Sequence, residues 1–361
     1  MKDKEKTDSA LHVQKGIEQP QQTNEEAIGK FLGSKKSLPS ADEFVQAILK
    51  SDRTMLSRAI TLIESTNDQH QQRAQEVIEK CLPHSEKSIR IGITGVPGVG
   101  KSTFIEAFGD YLTRIGKKVA VLAIDPSSQK SKGSILGDKT RMEKLSSNPD
   151  AFIRPSPSAG TLGGVTRKTR ESVVLCEAAG YDVIIIETVG VGQSETAARS
   201  MVDFFLLLQL PVAGDELQGI KRGIMEMVDA IFINKSEGEM QRKAKLAEAD
   251  IKNALHMMPP QPSGWIPQTG LCSALEKTGM DSVWDMVLEY EKAMKTSGWF
   301  EDNRRNQEIK RMEQSVMEIL QSDFNKNEKV LSVLEQIRKD IYDSKISPYN
   351  AAQRLVDLFY R

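Results

Sequence analysis

The stretch 95–103 reads GVPGVGKST, and its spacing fits G-x-x-x-x-G-K-[ST] at Gly95, Gly100, Lys101 and Ser102. In such a loop the glycines let backbone N–H groups turn inward around a phosphate, and the helix behind it adds positive potential. The lysine reaches the β- and γ-oxygens, and the serine hydroxyl is a ligand for Mg²⁺. The motif needs a strand before it and a helix after it. The sequence supplies an apolar run at 89–95 and an amphipathic stretch over 103–115 that stops at Gly116. Gly95, Val96, Pro97, Gly98, Val99, Gly100, Lys101, Ser102 and Thr103 are therefore assigned to a nucleoside triphosphate.

Phosphoryl transfer also needs a metal holder at the end of a neighbouring strand. YDVIIIETVG (181–190) offers Glu187 after an unbroken Val/Ile run, with Gly190 placed to bring an amide to the γ-phosphate. The pattern is ExxG where DxxG is usual, and the extra methylene lets the carboxylate reach metal directly or through water. AIDPSS ends another apolar run in Asp125, a further candidate at the carboxyl edge of the sheet. Gln193, three residues after Gly190, is a candidate for orienting the attacking water. The base is read from FINKSE, where Asn234, Lys235 and Glu237 stand as in an NKxD loop with Glu at the Asp position. A carboxylate there accepts from the ring imino N–H and exocyclic amine of guanine, each bond being worth roughly 1.5–3 kcal/mol. CSALEKTG adds Ser273, Ala274 and Leu275, whose backbone would face the base carbonyl. Three elements together favour GTP over ATP.

These groups need a scaffold that gathers strand ends. Apolar runs at 89–95, 118–125, 181–188, 204–210 and 230–235 alternate with helix-sized segments, as in parallel strands covered on both faces. The expectation is an α/β P-loop fold, a mostly parallel sheet flanked by helices. Residues 1–36 read as a polar, aperiodic tail. Residues 37–84 read as a helical region, opening on a capping box of Ser40 and Glu43. The nucleotide domain is expected over 85–290 and a charged helical arm over 291–361. In that arm Ile309, Met312, Val316, Ile319 and Leu320 share one helical face, too narrow for a core of its own, so burial against a second subunit is expected. Ser347-Pro348 reads as the start of a last helix.

Bulk properties narrow the function class. The 361 residues are 39% apolar with a formal net charge of -1, a balance that asks for neither nucleic acid nor a membrane surface. No run approaches the roughly 18 apolar residues of a membrane span, and the opening residues lack a signal core or transit-peptide composition, so a cytoplasmic protein is expected. Cys81, Cys176 and Cys272 are far apart and outside any CxxC, which suits buried apolar roles.

The segments AIDPSSQKSKGSILGDKTRM, RPSPSAGTLGGV, ETVGVGQSE, GDELQGIKRGIME and SPYNAA resemble the MeaB/MMAA group of GTPases, also labelled ArgK, within the SIMIBI class. The likeness runs from about residue 40 to the end. It implies a homodimeric GTPase, working with GTP/GDP and Mg²⁺, that attends adenosylcobalamin-dependent methylmalonyl-CoA mutase or a related acyl-CoA mutase. The implied role is gating cofactor loading and protecting or reactivating that enzyme. Position by position it makes Ser102, Asp125, Asp138 and Glu187 the magnesium neighbourhood and 189–195 the second switch. A third switch at 214–223, with Asp215, Glu216, Gln218 and Lys221, would face the mutase. Glu237 for Asp and Val212 for Gly are the main departures from the family pattern.

The sequence points to no single cation aimed at the γ-phosphate, Arg141 and Lys221 both staying open. Intrinsic turnover on the order of 10⁻³ s⁻¹ or below is expected, with a gain of about 10³ to 10⁵ when a partner supplies or orders that cation. Two other readings are a nickel- or zinc-delivering metallochaperone GTPase and an amino-acid-transport ATPase or kinase. The first wants a Cys/His cluster, whereas the four histidines are scattered. The second wants adenine preference, which FINKSE opposes.

Overall fold

The computed structural model describes residues 38–124, 142–155, 162–188, 194–211 and 222–360. Its first helices are α1 (Ala41–Leu49), α2 (Arg53–Glu64) and α3 (Asp68–Cys81), followed by a 3₁₀ turn at Leu82–His84. The chain boundaries here are set by capping side chains. Asp52 accepts from the Thr54 and Met55 N–H groups ahead of α2, and Asn67 accepts from Gln69 and His70 ahead of α3.

Then the chain alternates: β1 (Ile89–Gly95), α4 (Lys101–Arg114), β2 (Val119–Ile124), α5 (Glu143–Ser147), β3 (Ala151–Arg154), α6 (Leu162–Ala178), β4 (Val183–Thr188), α7 (Ser194–Arg199) and β5 (Phe204–Gln209). It continues with α8 (Arg222–Met225), β6 (Ala230–Ile233), α9 (Gln241–His256), β7 (Gln268–Leu271) and α10 (Met280–Ser297), which runs across position 290. Three further helices complete it: α11 (Trp299–Lys326), α12 (Glu328–Tyr342) and α13 (Pro348–Phe359), the last capped by Ser347 with Pro348 at its first position.

The seven strands lie in the order β3-β2-β4-β1-β5-β6-β7, and every pair is parallel. Each expected strand is present. Two that were not expected, β3 and β7, extend the sheet at its edges. Side chains alternate between two cores. Ile89, Ile91, Ile93, Val183 and Ile185 pack with α4, α5 and α10 on one face. Ile184, Ile186, Phe205 and Leu207 pack with α1, α2, α3, α6 and α9 on the other. β1 carries a glycine among its isoleucines because Phe205 of the adjacent strand fills that space: a Cβ at Gly92 would stand 2.5 Å from its ring. The three cysteines are free and buried, and burial pushes the Cys81 thiol up to about 11 and Cys272 to about 12.

The arm is tied to the sheet at its base. Arg304 of α11 is 7% exposed; it donates through Nε and Nη2 to the Asp203 carboxylate at 2.8 and 2.6 Å and through Nη2 to the Ser88 carbonyl at 2.7 Å. Gln307 donates to the Val202 carbonyl at 2.9 Å. Further out the stripe expected from the sequence is solvent-facing in this chain: Ile309, Met312, Val316, Ile319 and Leu320 are 46–57% exposed.

Candidate functional site

Sheet topology gathers the site. β1 leaves the sheet at Gly95 and the chain re-enters helix at Lys101, so the loop lies over the carboxyl edge between β4 and β5. Gly100 is the N-cap of α4 in a left-handed conformation (φ 95°), and a Cβ on it would stand 3.0 Å from the Asn234 side-chain amide. The left-handed dihedral favours glycine here, and a Cβ would also crowd the Asn234 amide. Beneath the loop the Thr188 hydroxyl donates to the Thr94 hydroxyl at 2.9 Å, joining β4 to β1.

Lys101 is 9% exposed and donates to the Gly95 carbonyl at 2.7 Å and the Val96 carbonyl at 3.3 Å. Burial holds its ammonium below the usual lysine range, while Glu187 and Glu195 pull the other way. Ser102 donates from Oγ to Glu187 Oε1 at 3.2 Å, so the two described residues named for magnesium already touch. Hydroxyl and carboxylate oxygens are the donor set a hard divalent cation takes.

The base-reading segments meet at one side chain. Asn234 donates from Nδ2 to the Val99 carbonyl at 2.8 Å, and its Oδ1 accepts from the Ala274 N–H at 3.0 Å. It therefore fixes the phosphate loop, the end of β6 and the Ser273–Leu275 loop in one arrangement. Lys235 sits in the left-handed region (φ 59°), unusual for a side chain with a Cβ, and donates to the Gly98 carbonyl at 2.9 Å. Ser236 holds the same junction from its other side, donating through its hydroxyl to the Cys272 carbonyl at 2.8 Å. Ser273 forms a bridge with Thr278, Ala274 is buried, and Leu275 is exposed. Glu237 is half-buried, and its Oε2 is a buried oxygen with no hydrogen-bond donor among the described residues. Such an acceptor suits a ligand with two N–H groups on one edge, as guanine has.

The sequence reading overlooked Glu195 as an individual residue. It stands in the first turn of α7, 2% exposed, with its electrostatic influence on Lys101. Nothing in the polar run around it distinguishes it from a solvated glutamate. α7 is anchored at its far end by Arg199, which donates to the buried Asp229 carboxylate at 2.8 Å. Asp125, Asp138, Gly190, Gln193, Asp215, Glu216, Gln218 and Lys221 lie outside the described residues. Among the described residues no group of three or more His, Cys, Asp or Glu gathers as a thiolate or imidazole metal centre would require.

A glycine-rich loop over a parallel sheet, with an Asn-Lys loop from the end of β6 packed onto it, defines a GTPase of the P-loop α/β class. The comparisons with known proteins narrow the class. The family model described as Methylmalonyl Co-A mutase-associated GTPase MeaB matches residues 56–329. A probable GTPase of Mycobacterium bovis is 46% identical over 319 residues, covering 88% of this chain and 95% of that protein. The Mus musculus protein named methylmalonic aciduria type A homolog, mitochondrial, is 41% identical over 336 residues, covering 90% of this chain and 81% of its own. A solved structure titled LAO/AO transport system kinase is 35% identical with a TM-score of 0.71, covering 90% of this chain and 100% of that one. The chain belongs to the MeaB family and hydrolyses GTP. No helix among the described residues is long and apolar enough to cross a membrane.

Proposed function

We propose that this GTPase is the chaperone of an adenosylcobalamin-dependent acyl-CoA mutase, first of all methylmalonyl-CoA mutase, gating cofactor loading and protecting or reactivating the enzyme. The observation that supports it is the match of 56–329 to a family described as mutase-associated. In this reading residues 95–103 cradle the phosphates, and Lys101 leaves the Gly95 and Val96 carbonyls to take the β- and γ-oxygens. Asn234, Lys235 and Glu237 hold guanine together with the Ser273–Leu275 loop. Mg²⁺, held by Ser102 and Glu187 with Asp125 and Asp138 beside them, would neutralise charge on the phosphate oxygens. Gln193 orients the attacking water and Gly190 meets the γ-phosphate. Asp215, Glu216, Gln218 and Lys221 carry the nucleotide state to the mutase, and the 291–361 arm pairs two copies.

Hydrolysis without the mutase is slow in this reading, in which the mutase supplies or orders the cation that completes the site, with Arg141 and Lys221 of this chain both open for that role. Adding saturating mutase to the full-length protein is expected to raise GTP turnover at least about tenfold, and Lys221→Ala to abolish that gain while leaving basal turnover in place. Turnover indifferent to the mutase, together with no complex on size exclusion in either nucleotide state, would rule the reading out.

A further inference from the structure

Away from the phosphate loop, α6, α7 and α11 enclose a cavity of about 620 Å³, a size that holds a small organic molecule. Its described lining includes Arg167 and Arg170 of α6 and Lys310 and Arg311 of α11. Arg170 is the unusual one. It is 7% exposed, yet every acceptor it meets among the described residues is neutral: Nη1 donates to the Gln314 side-chain carbonyl at 3.2 Å, and Nη2 to the Ser200 carbonyl at 3.2 Å and to the Ser200 hydroxyl. Its Nε is buried with no acceptor among the described residues. Arg167 and Arg311 face one carboxylate, Glu171, at 3.1 and 3.9 Å, and Arg311 also meets Glu308 at 3.4 Å. With Glu313 and Glu318 on the lining as well, the described wall carries four cations against two carboxylates. Burial, and after it the charge of Arg311, hold the Arg170 guanidinium below the usual arginine range, with Glu308 and Glu318 pulling the other way. A guanidinium taken out of water without an anion is costly, and an anion that enters offsets the cost.

We infer that this cavity is a second ligand site, separate from that of the nucleotide, and that it takes the phosphate group of a small molecule against Arg170. Phosphate suits the wall, because guanidinium N–H groups match its oxygens in geometry and a dianion balances the excess positive charge. The Thr196 and Ser200 side chains of α7 stand on the same lining and add hydroxyls. Self-association through the arm leaves the cavity open. α11 presents Lys310, Gln314 and Glu318 to it at four-residue spacing, across the helix from Met312, Val316 and Ile319 of the exposed apolar stripe. A phosphate held there ties α11 to α6 and to α7, the helix into which the expected second switch at 189–195 runs. The arm thereby gains a ligand-dependent hold on the nucleotide domain.

The test uses the full-length chain with saturating GDP and Mg²⁺, which fill the nucleotide site, and follows thermal unfolding as inorganic phosphate or adenosine 5′-monophosphate is titrated. Phosphate is expected to raise the wild-type midpoint along a saturable curve. Arg170→Met is expected to need at least about tenfold more phosphate for the same rise. Lys310→Glu, at an exposed position where the fold is not at stake, is expected to need at least about threefold more. Lys101→Met, which removes the cation of the phosphate loop, is expected to respond as wild type does. The monophosphate ester binding at least about tenfold more tightly than phosphate would make an organic body part of the ligand, and equal affinity would make free phosphate the ligand. No response in the wild type overturns the inference. So does an equal rise in wild type, Arg170→Met and Lys310→Glu at every concentration, which is the general effect of an excluded salt. A response lost in Lys101→Met and kept in Lys310→Glu would put the phosphate in the nucleotide's own site and overturn it too.

Discussion

The two glutamates of this site, Glu187 and Glu237, each stand where an aspartate is usual, and the surrounding structure accommodates the extra methylene in different ways. Glu187 meets the Ser102 hydroxyl at 3.2 Å, so its length is taken up in reaching across the loop. Glu237 keeps Oε2 buried without a donor among the described residues, an acceptor whose cost a ligand's N–H groups would meet. Inosine triphosphate, which lacks the exocyclic amine, removes one of the two. A competition measurement should show the wild-type chain preferring GTP over inosine triphosphate by about 10- to 100-fold, one charge-assisted bond being worth roughly 1.5–3 kcal/mol. Glu237→Ala should bring the two nucleotides within about threefold of each other, since the acceptor that tells them apart is gone. Equal discrimination by both proteins would mean that another group reads the amine. The strand-loop-helix that carries the candidate phosphate loop was legible in the sequence, because a loop that wraps phosphate with its own backbone has a local spacing. The burial of Glu195 was not, because it is settled by how α7 packs.

At the scale of elements, continuous apolar runs announced β1, β2, β4, β5 and β6, all interior to the sheet or flanked by helices on both faces. β3 and β7 gave no such signal. Each is a four-residue edge strand, and β7 is Gln-Thr-Gly-Leu, half-buried at best, so its pairing with β6 comes from position and backbone bonds. The tie between arm and sheet was equally invisible, since it joins residues a hundred positions apart. Arg304 and Asp203 form a bidentate pair with side chains 8% and 1% exposed. Replacing Arg304 with Met leaves Asp203 buried with the Arg90 N–H as its one hydrogen-bond donor among the described residues. The loss is expected at about 3–5 kcal/mol, the range for stranding one half of a buried pair. By contrast, cutting the Lys295–Glu291 pair, one turn apart on α10 and half exposed, should cost under about 0.5 kcal/mol. Urea unfolding of the two variants checks the difference; similar midpoints would show that α11 holds to the sheet by other means.

The molecule as a whole presents one feature that a single chain does not resolve. Its sheet buries apolar residues on both faces and its three cysteines are enclosed, yet five large apolar side chains of α11 face solvent on one stripe. Full burial of such a side chain is worth about 1.5–3 kcal/mol, so the stripe holds enough free energy to drive association even after the loss of rigid-body freedom. A two-fold pairing buries the stripe of both copies by the same contacts and closes on itself, which makes a dimer the expected state. Light scattering at micromolar concentration should therefore give about twice the 40.1 kDa chain mass. Met312→Glu combined with Val316→Glu places two charges on the stripe of each copy, and the dimer interface would have to desolvate them. That protein should run as a monomer with basal GTP turnover unchanged, because neither position touches the phosphate loop or the guanine loops. A dimer that survives both charges would assign its interface elsewhere and leave the α11 stripe for another partner.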